Sequence, residues 1–115
     1  MIATGVVRYI DELGRIIIPR EIRRVIGDHQ STDGMAVEIA MNQPFTITVK
    51  KHQKESNDAK IIRHIDDMGR IVIPKELRRN MNHGKDVYNK PMEFFLEDKT
   101  IVLKPYHGKP DVWEE

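Results

Sequence analysis

Residues 7–26 read VRYIDELGRIIIPREIRRVI, and residues 62–81 read IRHIDDMGRIVIPKELRRNM. Eleven of the twenty aligned positions are identical and most of the others exchange similar residues, so the sequence indicates a tandem duplication. A unit of about fifty residues buries too little surface to be stable by itself. We therefore expect the two copies to fold against each other.

The duplicated stretch predicts two strands and a short helix in each copy. Residues 6–11 and 15–18 are rich in β-branched residues, and a polar turn that ends in Gly14 is expected to join them as a hairpin. Pro19 supplies the fixed φ of a first helical turn, and the apolar residues that follow fall on one helical face. The large apolar residues in the two turns, Leu13 and Met68, are expected to be packed.

Two more strands follow the helix in each copy. The pattern places them at residues 35–41 and 45–50 in the first copy, and at residues 92–97 and 100–104 in the second. The predicted fold is therefore mainly β with short helices, built from two pseudo-symmetric β-β-α-β-β repeats. The core that joins them is expected to contain Ile10, Ile16, Ile18, Ile22 and Ile26.

Composition sets the limits of the copies and the cellular setting. Repeat 1 covers residues 4–52 and repeat 2 covers residues 59–107, with a polar linker at 53–58 and a tail at 108–115 that is expected to be partly disordered. The chain has no cysteine and no apolar run of the roughly 18 residues that a membrane helix needs. With no signal peptide in view, the sequence predicts a cytoplasmic protein without a membrane partner.

The formal net charge of +1 hides two basic segments. Residues 1–26 carry five basic and three acidic side chains, and residues 60–79 carry six basic and three acidic side chains. Eight of the nine arginines occupy matched positions of the duplicated stretch. Because the field near a surface depends on nearby charges, this concentration is typical of a site for a polyanion.

The ordered string of Arg8, the Asp-Glu-Leu-Gly turn, Arg15, an aliphatic run, Pro19 and Glu-x-Arg-Arg resembles the DNA-binding domain of the SpoVT/AbrB superfamily, which includes AbrB-like transition-state regulators. Residues 36–39 (AVEI) and 91–94 (PMEF) strengthen the resemblance. It implies a swapped-hairpin β-barrel, in which two units interleave their hairpins, usually from two chains. Because both units lie on one chain here, the barrel could close within a monomer, and self-association to a homodimer stays open.

The resemblance further implies a sequence-preferring double-stranded DNA-binding protein that regulates transcription, with two pseudo-two-fold-related units facing the duplex. The residues that match the DNA-facing arginines of the superfamily are Arg8, Arg15, Arg23, Arg24, Arg63, Arg70, Arg78 and Arg79. Between helix and third strand, where the superfamily usually has a compact Gly-Asp turn, Thr32-Asp33-Gly34 and the longer segment 82–90 depart from the superfamily pattern.

Other interpretations are weaker. The arginines could form ordinary surface ion pairs such as Glu21 with Arg24, but each matched position holds arginine in both copies, whereas Arg20 exchanges with Lys75. An antitoxin with the same fold is the alternative function, although the short tail argues against a toxin partner.

An enzyme is not expected. The five histidines lack metal-ligand spacing, and the sequence contains no phosphate-binding glycine loop and no nucleophile motif. The sequence therefore predicts no metal, no cofactor and no catalytic residue, and the carboxylates of the turns are expected to stabilise those turns.

Overall fold

The computed structural model describes residues 1–28, 30–53 and 60–113. Over these residues the chain forms eight strands and two helices. Repeat 1 supplies β1 (Ile2–Tyr9), β2 (Arg15–Ile17), α1 (Arg20–Ile26), β3 (Ala36–Gln43) and β4 (Thr46–Lys51). Repeat 2 supplies β5 (Ile61–His64), β6 (Arg70–Val72), α2 (Lys75–Met81), β7 (Pro91–Glu97) and β8 (Thr100–Pro105). The predicted β-β-α-β-β order, mainly β with two short helices, is confirmed.

Each helix begins directly after a buried proline, Pro19 or Pro74, which is the N-cap residue and has an extended ψ, while its ring fixes φ near the helical value. Ile22 and Ile26 of α1 are buried, as are Leu77 and Met81 of α2. Helices of seven residues are too short to be stable alone. Their stability therefore comes from this buried face.

The strands form two sheets that are each shared by both repeats. A six-stranded antiparallel sheet has the order β1-β7-β8-β4-β3-β5, and β2 pairs with β6 in a two-stranded sheet that we call the ribbon. Exchanging each strand for its counterpart in the other repeat reverses the first order and leaves the second unchanged. The two repeats are thus related by a pseudo-two-fold axis that passes between β4 and β8 and through the ribbon.

Three details differ from the sequence-based expectations. The large sheet is open rather than a closed barrel, because the axis at its centre places β1 and β5 at opposite edges. The predicted hairpin of β1 with β2 is a tight turn between two different sheets, since β1 pairs with β7 and β2 pairs with β6. The turn expected at residues 42–44 lies at Pro44 and Phe45, because β3 continues to Gln43.

The core is aliphatic and common to both repeats. It contains all five predicted isoleucines, their counterparts Ile65, Ile71 and Ile73, and Phe94. The tail also contributes, because Trp113 is buried and its Nε1–H donates to the Pro91 carbonyl at 2.8 Å. Beyond Gln53, the predicted linker lies outside the described residues. None of the helices described is both long and apolar enough to cross a membrane.

Candidate nucleic-acid interface

The ribbon lies on the pseudo-two-fold axis, with Ile16 opposite Ile71. Both of these side chains are buried. Because side chains alternate along a strand, the flanking residues point to the other face, where Arg15 lies opposite Val72 and Ile17 lies opposite Arg70. The ribbon therefore presents two arginines and two partly exposed aliphatic side chains, Ile17 and Val72, in a two-fold arrangement.

An aspartate in each turn fixes the arginine that follows it. Asp11 Oδ1 accepts the backbone N–H groups of Leu13 and Arg15 at 2.9 and 2.8 Å, and Asp11 Oδ2 accepts Arg15 Nε–H at 2.8 Å. Asp66 makes the same three bonds with Met68 and Arg70, including one of 2.7 Å from Arg70 Nε–H. The turn carboxylates thus have the structural role expected from the sequence.

These bonds also set the charge state of the two aspartates. Burial opposes ionisation, but the hydrogen bonds from Arg15 hold the pKa of Asp11 below its usual value, and those from Arg70 do the same for Asp66. Arg15 and Arg70 each use Nε in these bonds, and the terminal Nη groups of both arginines are not bonded to any described residue. The Nη groups of Arg15 and Arg70 are therefore available to a ligand.

Arg23 and Arg78 hold the turn of the opposite repeat. A Cβ added at Gly14 would lie 1.8 Å from Arg78 Nη1, and one added at Gly69 would lie 1.8 Å from Arg23 Nη1. Both glycines have positive φ, +79° and +81°. Arg78 Nη1 also donates to the Ile73 carbonyl at 2.6 Å, and Arg23 Nη1 donates to the Ile18 carbonyl. Each guanidinium thus approaches the turn with its Nη1 end, at a positive-φ position where a Cβ would clash with it.

Backbone bonds run across the same contact. Ile18 N–H donates to the Gly69 carbonyl at 2.8 Å, and Ile73 N–H donates to the Gly14 carbonyl at 2.9 Å. A cleft of about 880 Å³ between α1, residues 30–33 and the turn of repeat 2 contains Arg24 together with Asp66 and Asp67. Each helix is therefore placed beside the turn of the other repeat.

The remaining four predicted residues are more open. Arg24 and Arg79 are exposed in the last turns of α1 and α2 and make no hydrogen bond or ion pair with the described residues. Arg8 is exposed on β1 and Arg63 is half-buried on β5, and each donates to the carbonyl of the preceding residue, at 2.8 and 2.9 Å. The eight arginines thus form four two-fold pairs with different degrees of restraint.

Several features of this region were not expected from the sequence. Leu13 and Met68 are exposed, at 67% and 61%, so the expectation that these turn residues are packed is wrong within the chain. The structural contacts of Arg23 and Arg78 and the outward position of Ile17 and Val72 were also missed. The alternation of side chains along residues 15–18 could have predicted the outward position of Ile17. No local sequence pattern could have predicted the arginine contacts.

The charges of this region are not arranged as a metal site. Among the described residues there is no group of three histidine, aspartate or glutamate side chains that could hold a metal ion. The carboxylates of the two turns are already committed to backbone N–H groups and arginines. The region is therefore a surface of restrained and open arginines.

Comparison with known proteins places the chain in a family. Stage V sporulation protein T of Bacillus subtilis is 45% identical over 47 residues, which are 40% of this chain and 25% of that protein. Transition state regulatory protein AbrB of the same organism is 42% identical over 53 residues, 45% of this chain and 49% of that protein. Transcriptional regulator MraZ of Mycoplasma mycoides subsp. mycoides is 30% identical over 95 residues, 69% of this chain and 71% of that protein.

The chain belongs to the SpoVT/AbrB superfamily. No protein-family model matches it. The chain spans a quarter of the sporulation protein and about half of AbrB, so it is similar to one portion of each. Two of these three SpoVT/AbrB relatives are named as regulators and none is named as an enzyme.

Proposed function

We propose that the protein binds double-stranded DNA with sequence preference and regulates transcription. The observation that carries the proposal is the two-fold ribbon, which presents Arg15 and Arg70, together with the open Arg24 and Arg79 on the two helices that contact the turns. The two backbones of duplex DNA are themselves two-fold related, so one arginine arrangement suits both. A two-stranded antiparallel ribbon is also narrow enough to enter the major groove.

The arginines divide into groups with different roles in this proposal. Arg24 and Arg79 meet phosphates, because they are exposed and unrestrained, while Arg15 and Arg70 are oriented by aspartates and suit base edges. Arg8 and Arg63 extend the phosphate contacts along the edge strands. Arg23 and Arg78 act at the DNA surface and also hold the opposite turns in position.

A single chain suffices for this site. The ribbon needs one strand from each repeat, and both repeats belong to the same polypeptide. We therefore propose a monomer as the binding unit, and light scattering of the free protein and of the protein–DNA complex tests this. One protein chain per duplex is expected, and a stable dimer in both states would contradict it.

The alternative, an antitoxin, receives less support. Such a protein needs a segment that wraps its toxin, but residues 111–113 contact their own domain through buried Trp113. Co-purification with a partner protein encoded beside this chain would favour the alternative.

Salt dependence tests the electrostatic basis of binding. With about four to eight phosphates neutralised, log Kd should change with log salt concentration with a slope of about 4 to 7 in magnitude. Fluorescence anisotropy with a labelled duplex selected from random DNA measures the slope. An affinity that is nearly independent of salt would contradict the proposed phosphate contacts.

A matched pair of double variants tests the residues. We expect Arg24→Ala with Arg79→Ala to weaken binding by about 100-fold, because two charge-assisted contacts are lost, while the melting temperature stays unchanged. The control is Arg20→Ala with Lys75→Ala, which removes the same charge from the same helices and is expected to cost less than about tenfold. Equal losses in the two double variants would contradict a specific role for Arg24 and Arg79.

A further inference from the structure

A second cavity lies at the C-terminal end of α2, away from the ribbon. It has a volume of about 530 Å³, within the range of small-molecule sites. Its apolar lining includes Met81 of α2, Phe45 of the β3–β4 turn and Trp113 of the tail. We call it the tail pocket. None of the eight arginines discussed above lines it.

The aromatic part of the tail pocket is held in place. Trp113 is 7% exposed, and its indole N–H is already bonded to the Pro91 carbonyl, so the ring offers an apolar surface without an unsatisfied donor. Phe45 is partly exposed and meets the ring of His83 edge to face, with 6.0 Å between centroids. A planar apolar group can stack on surfaces of this kind.

The polar part of the lining is basic. His83, Lys104 and His107 line the tail pocket, and no aspartate or glutamate is found among its described lining residues. His107 Nδ1 lies 2.6 Å from Asp111 Oδ2, which fixes the orientation of the imidazole. The lining therefore complements a ligand that combines a planar apolar body with a negative charge.

The two-fold counterpart of the tail pocket is built differently. His83 corresponds to Asp28, and Phe45 corresponds to Lys99 in the β7–β8 turn. Asp28 and Lys99 form an ion pair of 2.7 Å. The tail pocket therefore has no equivalent of this ion pair. In the other half of the molecule, opposite charges join the turn to the helix end.

We propose that the tail pocket binds an aromatic carboxylate. The aromatic body packs on Trp113 and Met81, and the carboxylate accepts from Lys104 and from a histidine at the rim. Because the ion pair of Asp28 and Lys99 occupies the place of His83 and Phe45 in the counterpart region, one ligand is expected per chain.

The test uses 2-naphthoate as the probe and Trp113 as the reporter, since it is the chain's single tryptophan. Titration should give saturable shifts of the Trp113 indole N–H resonance and a matching change in tryptophan fluorescence. Lys104→Gln should weaken binding about tenfold, as expected for the loss of one charge-assisted hydrogen bond. The control Lys50→Gln alters the two-fold equivalent lysine, which faces Glu38 as Lys104 faces Glu93, and should leave affinity unchanged.

The uncharged analogue 2-naphthamide separates stacking from charge recognition and is expected to bind at least about tenfold more weakly. Absence of a saturable shift with 2-naphthoate would overturn the site. Equal affinity for the acid and the amide, or an equal effect of the two lysine substitutions, would overturn the assignment of the carboxylate to Lys104. The readouts require no DNA, so their outcome is independent of the proposed function.

Discussion

The ribbon and the ends of the two repeats differ in how well they keep the two-fold relation. At the ribbon, Asp11 and Asp66 make the same bonds, and Gly14 and Gly69 receive the same guanidinium contact. The end of repeat 1 packs around a buried Glu38, whereas the end of repeat 2 packs around a buried Trp113. A ligand with two-fold symmetry requires equivalent protein groups only at its binding site, whereas the end of repeat 1 must also connect to repeat 2. The two-fold relation is therefore kept at the ribbon and is lost where repeat 1 must connect to repeat 2.

The largest expected effect comes from the turn glycines. Gly14→Ala should lower the free energy of unfolding by about 3 kcal/mol and Gly69→Ala by about 2 kcal/mol, because each adds left-handed strain and displaces an arginine from its carbonyl. Gly14→Ala costs more because Arg78 is also paired with Asp86 at 2.8 Å. Urea denaturation at neutral pH measures both values. Identical losses would mean that the contact of Asp86 with Arg78 does not contribute to the free energy of unfolding at this turn.

The next effect contrasts two equivalent glutamates. Glu38 is 5% exposed, and its carboxylate contacts Lys60 Nζ at 3.0 Å, His52 Nδ1 at 3.0 Å and Gln53 N–H at 3.1 Å. Glu38→Gln should cost about 2 kcal/mol, because charged partners at a buried position lose their counter-charge. Glu93→Gln, at the equivalent place in β7, is the control and should cost less than about 0.5 kcal/mol. A larger loss for Glu93→Gln would reverse the proposed division between the ends.

Glu38 also predicts a pH dependence. Burial opposes its ionisation, but the hydrogen bonds from Gln53, Lys60 and His52 prevail and lower its pKa from 4.5 to about 2. The unfolded state therefore binds this proton more readily, so the stabilisation is complete above about pH 4.5 and is lost as the pH falls toward about 2. The difference in stability between the wild type and Glu38→Gln should shrink over this window in pH-dependent denaturation. A difference that stays constant would show that the Glu38 charge is not responsible.

A smaller effect tests the asymmetry between Asp86 and its counterpart Ser31. Asp86→Asn should lower the free energy of unfolding by about 1 kcal/mol, because Asp86 binds Arg78 but its side chain is partly exposed. The hydrogen bond from Arg78 also lowers the pKa of Asp86, so this contribution disappears in acid. The equivalent change in repeat 1, Ser31→Ala, should have no measurable effect on chemical denaturation. Similar costs at both positions would indicate a contact unrelated to Arg78.

The smallest effect concerns the ion pair that closes the counterpart of the tail pocket. Both Lys99 and Asp28 are largely exposed, so solvent screens their 2.7 Å contact. Lys99→Ala should change the free energy of unfolding by less than about 0.5 kcal/mol. A change several times larger in thermal or chemical denaturation would show that this ion pair at the helix end contributes to stability.

Local elements could be predicted from the sequence because their causes are local. Pro19 and Pro74 set the helix starts, the turn glycines have the positive φ that their place requires, and the five isoleucines named from their spacing are buried. These features depend on the preferences of single residues and on the period of the apolar pattern. Because the two copies have similar sequences, these local predictions apply to both repeats.

Pairing across the repeats could not be derived from local pattern. The sequence places β1 next to β2, and nothing in their composition tells that they enter different sheets. Arg23 and Arg24 are neighbours of the same type, yet one packs on Gly69 while the other is exposed, a difference set entirely by tertiary contact. Glu38 did carry a signal, since it is a charged residue between two buried aliphatic ones in a strand.

The interleaved strand order has a consequence for how the chain acquires its structure. Four of the six strand pairings join different repeats, and Ile2 lies opposite Leu96. During synthesis, β1 and β2 therefore have no partner strands until β7 and β6 have left the ribosome, and folding waits for closures over long sequence distances. The same two-fold relation lets repeat 1 of one molecule pair with repeat 2 of another. Refolding at high protein concentration thus places closure within one chain in competition with exchange between chains.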